Sequence, residues 1–439
     1  MERSRNGLSE ILHFSNRLTY FFLSEKKVSK KELKSVKSIF KEHRFDNSPY
    51  WNSTFLIPHS SPLLVERTVI FMKEYLLDEA AVFAATDHYD IIWNTTEKGL
   101  AYVECGGKKF YDHANGNVKS EETVHKVSVP KNVLDEAKEY TINFREVFER
   151  KPYFPTSSED LLTKTYSFRP VTEKENYNFY FISDTHNNSE YASKAAAPYS
   201  DKIDFLVLGG DVPDKSDCFE SIRTVFKICA SVTKGEIPVI NARGNHDTRG
   251  YIACDFYKYT ATQNGEMFYT VRLGKIFAIV LDCGEDKTDD HKEYGYLAAF
   301  EPYRERVTEF LRDISITKPF GKDDIVLVFC HERPDARSHG PFKEIYGTWT
   351  KYLNEIKPKA YICGHEHTCE IFEAGRQYFD TDIICEFPSI VGSQVRGNKC
   401  TTNADLEPGF TGAFYEISEN SLAVSFTDDK GNSEKHIVK

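Results

Sequence analysis

Short polar motifs follow apolar runs at five places after residue 180 of this 439-residue chain. In chain order they read Ser-Asp-Thr-His, Gly-Gly-Asp-Val-Pro-Asp, Gly-Asn-His-Asp, a single histidine and Gly-His-Glu-His. The side chains in them that offer an oxygen or a nitrogen to a ligand are Asp184, His186, Asp211, Asp214, Asn245, His246, Asp247, His331, His365 and His367. Carboxylate, imidazole and amide groups are ligands that iron, manganese and zinc accept. The motifs therefore predict a metal site, provided that the fold brings them together.

Strands must position these motifs, because each motif follows an apolar run of strand length. The runs that predict strands are 176–183, 204–210, 238–244, 275–282, 324–330 and 359–364. Helical stretches lie between them, for example at 217–232 and 302–314, and strands that alternate with helices predict an α/β core. In such a sheet, ligands bind in the crevice beyond the carboxyl ends of the strands. We therefore expect the five motifs to meet at one edge of the sheet.

The order of the five motifs carries more information than any motif alone. An isolated Asp-x-His is frequent by chance, and a single histidine after an apolar run is usually a core residue. The complete series, however, resembles the motif series of the calcineurin-like metallophosphoesterases over residues 176 to about 395. That resemblance implies a four-layer α/β/β/α catalytic domain and the hydrolysis of phosphate esters.

The resemblance also implies two metal ions, which lie roughly 3.5–4 Å apart in enzymes of this mechanism. The first ion would be held by Asp184, His186, Asp211 and His367. The second ion would be held by Asp211, Asn245, His331 and His365, so that Asp211 bridges both. A hydroxide between the two divalent or trivalent ions would attack the phosphorus atom. These ligands suit Fe, Mn or Zn, and the sequence leaves that choice open.

A second set of residues is expected to act on the substrate. By the same resemblance, His246 protonates the leaving oxygen and Asp214 orients its imidazole, since a neighbouring carboxylate fixes the tautomer and raises the pKa. Asp247 is expected to support the loop. Arg243 and Arg249 flank that loop, and either is a candidate for contacting a phosphate oxygen, with a structural role equally open for each.

The chain departs from one group of related enzymes. Purple acid phosphatases carry a tyrosine where this chain has Asp214, and they lack the histidine that His186 supplies here. Residues 63–172 nevertheless contain about seven short β-rich runs and resemble the fibronectin-III-like domain that precedes the catalytic domain in such enzymes. The expected organisation is a helical segment (1–62), a small β-sandwich (63–172) and a catalytic domain (173–439).

Composition narrows the class of protein and its compartment. The net charge of −11 disfavours a nucleic-acid-binding protein, although the first 50 residues carry eleven lysines and arginines against six acids. No apolar run reaches the roughly 18–20 residues that a bilayer span requires, and the N-terminus does not resemble a secretory signal. Most of the ten cysteines follow residue 200, several in apolar runs, as is usual for reduced thiols. We therefore predict a cytoplasmic protein.

Two functions besides a phosphomonoesterase stay open at this point. A phosphodiesterase acting on nucleotides or other diesters would use the same metal core, because the pocket walls decide that preference. A catalytically silent protein-binding scaffold is disfavoured, since every predicted metal ligand and the acid His246 are present. A polar insertion at 282–300 is expected to form a rim or lid of the site. The natural substrate, the protein partners and the oligomeric state do not follow from the sequence.

Overall fold

The computed structural model describes residues 23–25, 67–69, 74–159, 161–335, 340–378, 382–397 and 407–438. The chain divides into two compact units, residues 1–74 and residues 75–439. In the first unit, strands β1 (Leu23–Glu25) and β2 (Arg67–Val69) form an antiparallel pair. The helical patterns predicted within residues 1–62 otherwise lie outside the described residues.

The first part of the second unit consists mainly of strands. They are β3 (Ala81–Ala84), β4 (His88–Asn94), β5 (Gly99–Cys105), β6 (Lys108–Tyr111), β7 (His113–Ala114), β8 (Asn117–Val118), β9 (Val124–Pro130), β10 (Glu139–Glu149), β11 (Thr156–Ser157) and β12 (Leu162–Ser167). A short helix, α1 (Lys131–Ala137), joins β9 to β10. The strand-rich character predicted for this region is therefore confirmed.

The remainder alternates strands with helices. The strands are β13 (Asn176–Ile182), β14 (Phe205–Leu208), β15 (Pro238–Asn241), β16 (Tyr269–Leu273), β17 (Ile276–Val280), β18 (Ile325–Phe329), β19 (Ala360–Cys363), β20 (Cys369–Phe372), β21 (Ser389–Gly392), β22 (Gln394–Arg396), β23 (Gly409–Ser418), β24 (Leu422–Asp428) and β25 (Ser433–Ile437). The α-helices are α2 (Ser189–Ala196), α3 (Phe219–Val232), α4 (Phe300–Thr317) and α5 (Lys343–Ile356). Short 3₁₀ helices span Ala197–Tyr199, His246–Thr248, Ala253–Lys258 and Gly340–Phe342. Within the described part of the chain, no helix is both long and apolar enough to cross a lipid bilayer.

Two large sheets form the centre of the second unit. The first has the strand order β25-β24-β23-β13-β14-β15-β3-β4-β9, with β22 paired to β23. The second has the order β16-β17-β18-β19-β21-β20. Strands β13, β14 and β15 are parallel, as are β17, β18, β19 and β21. Parallel strands need both faces covered, which explains why these strands are mostly apolar.

Alternate side chains of one strand show how the layers stack. In β17, Ile276, Ala278 and Val280 belong to the core between the two sheets. Phe277 and Ile279 point the other way and pack with the apolar faces of α4 and α5. The buried residues of α2 and α3 join the core on the first sheet. The predicted four-layer α/β/β/α architecture is therefore confirmed.

Aromatic stacking joins the two sheets at their middle. Phe179 on β13 stacks on Phe205 and on Tyr415, with ring centroids 5.0 and 4.5 Å away. Its ring also meets Phe329 of the second sheet edge-on at 5.8 Å. Aromatic pairs in these geometries add about 0.5–1.5 kcal/mol beyond the area that they bury. The strands that lead into the predicted site thus have a rigid base.

The N-terminal strands are divided between two sheets. Strands β3, β4 and β9 extend the first large sheet, because β3 pairs in parallel with β15 through Val239 and Phe83. Strands β5, β6, β10, β11 and β12 form a smaller sheet of their own. The strands predicted as a separate β-sandwich thus share a sheet with the catalytic strands. The domain boundaries at 62 and 172, and the likeness to fibronectin III, stay predictions.

A buried histidine makes this N-terminal region sensitive to acid. His125 on β9 is 1% exposed and lies between the rings of Trp93 and Phe144, at 5.5 and 5.1 Å. Its Nε2 lies 3.0 Å from Oγ1 of Thr95. Burial, together with the positive charge of Lys119, lowers the pKa of His125 to about 3. The imidazole is therefore neutral in the folded protein at neutral pH.

Acid should destabilise the metal-free protein partly through His125. An unfolded histidine has a pKa of about 6.5, so below that pH the unfolded chain binds a proton that the folded protein excludes. The neutral His125 imidazole therefore stabilises the folded protein fully above about pH 7, and this stabilisation decreases as the pH falls. Proton binding by the unfolded chain should lower the free energy of unfolding by about 2 kcal/mol between about pH 7 and about pH 5. Urea denaturation of wild type and His125→Phe at both pH values measures this difference.

The matched control for that experiment is His113→Phe, because His113 is exposed and folding does not bury its imidazole. This variant should keep the pH dependence of the wild type. His125→Phe should show a smaller loss of stability between the two pH values, and an unchanged loss would contradict the assignment.

Candidate active site

Five strand ends meet at one edge of the two sheets. The predicted ligands that follow these ends are Asp184 and His186 after β13, Asp211 after β14, Asn245 after β15, His331 after β18, and His365 and His367 after β19. Two groups of predicted ligands form there, each with its donor atoms within 4.8 Å of one another: Asp184 with His186 and His367, and Asp211 with His331 and His365. A third such group, His186 with Asp214 and His246, adjoins them. The amide of Asn245 joins the second group, 3.2 Å from Nδ1 of His365. The structure therefore brings all the predicted metal ligands to one site.

The donor atoms in this site face one another. Nε2 of His186 lies 3.2 Å from Nε2 of His367, which in turn lies 3.3 Å from Oδ1 of Asp184. Nε2 of His331 lies 3.2 Å from Oδ2 of Asp211 and 3.8 Å from Oδ1 of Asp184. One imidazole therefore faces both carboxylates and connects the two groups. Converging nitrogen and carboxylate lone pairs are what a bound cation requires.

The Asn245 amide has one terminal atom inside the second group and one outside. The inner atom lies 3.2 Å from His365 Nδ1, 3.2 Å from His331 Nε2 and 3.3 Å from Asp211 Oδ2. The outer atom lies 3.0 Å from Nη2 of Arg249. An amide nitrogen in the inner position would donate hydrogen bonds to these atoms, whereas an amide oxygen there would coordinate a cation with them. The donor set thus fits a metal ion with the oxygen turned inward.

Backbone strain coincides with the ligands. Positive φ angles occur at Asp184 (54°), His186 (43°), Asp211 (53°), His365 (69°) and His367 (52°). A non-glycine residue in this left-handed region costs of the order of 1–3 kcal/mol and persists only where its surroundings hold it. Both carboxylate oxygens of Asp184, for example, accept the backbone N–H of His365 at 3.0 Å. Strained residues of this kind cluster at functional sites.

Two glycines let the loops approach one another. A Cβ on Gly244 would lie 2.2 Å from Oδ1 of Asp211. A Cβ on Gly364 would lie 2.1 Å from Oγ of Ser183 and 2.3 Å from Oδ2 of Asp184. These glycines precede Asn245 and His365 in their motifs, so their small size sets how close the ligands come to the two aspartates.

Opposite charges in the site shift the pKa values of its carboxylates and imidazoles. Burial raises the pKa of Asp184, but the opposing charges of His331 and His367 outweigh it and hold that pKa at about 2. Burial lowers the pKa of His331, whereas Asp211 and Asp184 raise it, with a net result well above its ordinary value. The carbonyl of Gly209 accepts a hydrogen bond from Nδ1 of His331 at 2.7 Å. Nε2 is therefore the nitrogen that faces the two carboxylates.

His246 lies beside these ligands but is held by different contacts. Its Nδ1 donates to the backbone carbonyl of Asp214 at 2.7 Å. The Asp214 carboxylate is farther away, with Oδ1 3.9 Å from that Nδ1 and 3.3 Å from Nδ1 of His186. The contact that orients His246 thus comes from the main chain of Asp214. Its carboxylate lies nearer to the predicted metal ligand.

Asp247 contacts the backbone of the site from behind. It is 1% exposed, and its Oδ2 accepts the N–H groups of Gly244 at 2.7 Å and Asp211 at 3.2 Å. Burial, together with the negative charge of Asp211, raises the pKa of Asp247 to about 8. These contacts agree with the loop-supporting role predicted for this residue.

The two arginines predicted to flank the loop have different surroundings. Nε of Arg243 lies 2.8 Å from Oδ2 of Asp282, and its guanidinium lies over the rings of Phe300 and Tyr303. Arg249 instead places Nη1 3.3 Å from Nε2 of His246. The contacts of Arg243 are those of a structural residue, and those of Arg249 place it at the site. Substrate binding by either residue stays a prediction.

The sequence predicts a rim or lid at 282–300, but it does not indicate the contacts that Glu285 and Tyr294 of this insertion make beside the site. Glu285 is 2% exposed, and its Oε2 accepts Nη2 of Arg249 at 2.7 Å. The hydroxyl of Tyr294 donates to the same oxygen at 3.0 Å. No motif marks either residue, and the one available signal was the density of acidic residues in this insertion.

Comparison with known families identifies the class of this site. Residues 177–369 match the family model of the calcineurin-like phosphoesterases, and this span includes every predicted metal ligand. The chain therefore contains a calcineurin-like phosphoesterase domain, and the protein is a hydrolase that acts on phosphate esters. No curated protein matches the sequence significantly.

A solved structure shows the same fold. The purple acid phosphatase PPD1 from seeds of yellow lupin (Lupinus luteus) is similar with a TM-score of 0.53 and 12% sequence identity, covering 86% of this chain and 78% of that chain. A structure of PhoD has a TM-score of 0.48 and 10% identity, covering 83% of this chain and 90% of that chain. At such identities the likeness to PPD1 extends to the fold alone.

Enlarging Gly244 should weaken metal binding. In Gly244→Ala, the new methyl group would meet Oδ1 of Asp211 at 2.2 Å and the backbone nitrogen of Asp211 at 2.5 Å, so both the carboxylate and the loop must shift. We expect the variant to bind less metal than the wild type, measured by elemental analysis. Gly321→Ala is the matched control, because its Cβ would have Asp324 Oδ2 as its nearest neighbour, at 3.7 Å. Equal metal content in the two variants would contradict the importance of this close approach.

Proposed function

We propose that the protein is a dinuclear metal-dependent phosphoesterase in which Asp211 bridges two ions. The observation that carries this proposal is the pair of donor groups described above, linked by an imidazole of His331 that faces both Asp184 and Asp211. Asp211 has one oxygen directed to the backbone N–H of His246 at 2.8 Å and the other to His331. Among the donor types present, a carboxylate is the one that readily ligates two cations.

The two donor groups support the ligand assignment that the motif series implies. The first ion would be held by Asp184, His186, Asp211 and His367, and the second by Asp211, Asn245, His331 and His365. Two bound cations of Fe, Mn or Zn would activate the attacking water and stabilise charge on the attacking and leaving oxygens. The Asp214 carboxylate, 3.3 Å from Nδ1 of His186, would orient that ligand, as carboxylates do for histidines at many metal sites.

His246 would act on the leaving group. The carbonyl of Asp214 holds Nδ1 of this histidine, so Nε2 is the nitrogen that can deliver a proton. Nε2 lies 4.0 Å from Oδ2 of the bridging Asp211, at the border of the metal site. The side chain is 21% exposed, which gives a leaving group access to it. These contacts support the role of a general acid.

Phosphatase activity on monoesters is the favoured form of the proposal, and a phosphodiesterase acting on nucleotides or other diesters is the alternative. A panel of phosphate monoesters and diesters, assayed with Fe, Mn and Zn, separates the two. A preference for diesters would select the alternative, whereas no hydrolysis of either class with any metal would contradict the proposal. A phosphorylated-metabolite screen would then identify the natural substrate.

Asp211→Asn should weaken both ions together, because the bridging charge is lost to each. We expect metal content per chain to fall toward zero, measured by elemental analysis after dialysis. Asp201→Asn is the matched control, since the Asp201 side chain is 94% exposed. Two ions retained at unchanged affinity in Asp211→Asn would show that the carboxylate does not bridge them.

His246→Ala should keep its metals and lose rate. General acid catalysis contributes about 10²–10⁴-fold, and this loss should be largest for alkyl esters, whose alkoxide leaves poorly without a proton. Nitrophenyl esters should be affected less, because nitrophenolate leaves unaided. His331→Ala, which removes a ligand, should slow all esters alike. If His246→Ala loses its metals, or slows both ester classes equally, His246 is not the acid.

A further inference from the structure

One carboxylate of the insertion at 282–300 is almost wholly buried beside the site. Glu285 is 2% exposed and accepts five hydrogen bonds from three side chains. Its Oε1 accepts Oγ1 of Thr248 at 2.8 Å and Nε of Arg249 at 2.9 Å. Its Oε2 accepts Nε and Nη2 of Arg249 at 3.0 and 2.7 Å and the hydroxyl of Tyr294 at 3.0 Å. A carboxylate satisfied in this way is fixed in position.

Glu285 binds one edge of the Arg249 guanidinium, and the other edge faces the site. Nε and Nη2 bind Glu285, and Nη2 also binds Oδ1 of Asp286 at 2.8 Å. Nη1 has neither carboxylate as its partner and lies 3.3 Å from Nε2 of His246. The outer amide atom of Asn245 lies 3.0 Å from Nη2. The guanidinium thus borders both the proposed acid and a proposed metal ligand.

We propose that Glu285 is a positioning residue that holds Arg249 so that Nη1 binds a phosphate oxygen beside the leaving group. The inference rests on the proposed function, because it places the ester between the two metal ions and His246. Nη1 and Nε2 of His246 lie 3.3 Å apart, so both border one point of the site. An oxygen of the ester that reaches this point accepts a hydrogen bond from Arg249 while His246 serves the leaving oxygen.

Two features favour this role over a purely structural one. The Arg249 side chain is 28% exposed, so the edge that carries Nη1 is accessible to a ligand, whereas Arg243 is paired with Asp282 and covered by aromatic rings. An arginine fixed by a carboxylate on one edge also loses less side-chain entropy when the other edge binds phosphate. The insertion at 282–300 would thus fix the orientation of a phosphate-binding arginine in addition to bordering the site.

The test is the binding of inorganic phosphate to the metal-loaded protein, measured by calorimetry. Arg249→Met should weaken phosphate binding about ten- to a hundred-fold, the usual range for one charge-assisted hydrogen bond. Glu285→Gln should weaken it in the same direction, because the guanidinium is no longer fixed. In the double variant the two losses should not add. Additive losses, or unchanged phosphate affinity in Glu285→Gln, would overturn the inference.

Further variants separate positioning from folding. Tyr294→Phe removes the contacts of the hydroxyl with Glu285, Asp286 and the backbone N–H of Lys287 but keeps the Glu285 carboxylate, and it should weaken phosphate binding less than Glu285→Gln does. Arg249→Lys keeps the charge and should restore part of the affinity lost in Arg249→Met. Asp324→Asn breaks an arginine pair away from the site, with Arg272 at 2.7 Å, and should leave phosphate affinity unchanged.

Steady-state kinetics give a second measurement. For alkyl phosphates, Glu285→Gln should raise KM more than it lowers kcat, whereas His246→Ala should lower mainly kcat. Wild-type protein that neither binds phosphate nor hydrolyses esters would overturn both proposals. Wild-type hydrolysis with unaltered KM and phosphate affinity in Arg249→Met would overturn this inference alone.

Discussion

Two carboxylates buried side by side set the conditions for the rest of the site. Asp184 and Asp211 are 0% and 1% exposed, and like charges in a low-dielectric interior repel one another strongly. His331 faces both and offsets part of this cost. The remaining imidazoles converge on the same space, so the arrangement is most stable with cations in it. In the proposed function, the attraction between the metal ions and the two aspartates also offsets the cost of burying the aspartate charges.

The loops that carry the ligands are strained, and the sheets beneath them are not. Ligand residues such as His365 adopt left-handed backbone angles, while Gly244 and Gly364 allow contacts that a Cβ would prevent. Below them, the two sheets pack through aromatic rings such as Phe179. The left-handed backbone angles of the ligand residues can persist because the packed strands fix the ends of these loops.

The walls of the site come from segments outside the metal-binding motifs. The insertion at 282–300 reaches Arg249 and the side of His246 through Glu285. Strands β3, β4 and β9 widen the first sheet beyond β15. In phosphoesterases that share a metal core, such walls decide which ester is accepted. The cytoplasmic location and the absence of a nucleic-acid partner stay predictions, although the cysteines among the described residues are free thiols.

The sequence by itself indicated the chemistry proposed for the centre. Asp211, His331 and the other proposed ligands could be predicted because their motifs follow apolar runs in an order that resembles the calcineurin-like series, and strand ends at one edge of a sheet must meet. The alternation of strands and helices likewise predicted the α/β layers. These features depend on local order along the chain, which a single sequence displays.

Tertiary structure decided what depends on contacts between distant segments. Nothing in the spacing indicated that Glu285 would hold Arg249, that the carbonyl of Asp214 rather than its carboxylate would hold His246, or that β3 would pair with β15. Each of these contacts joins segments that neither share a motif nor follow one another in a repeating pattern. Their position is set by how the loops pack, and that packing is a property of the whole fold.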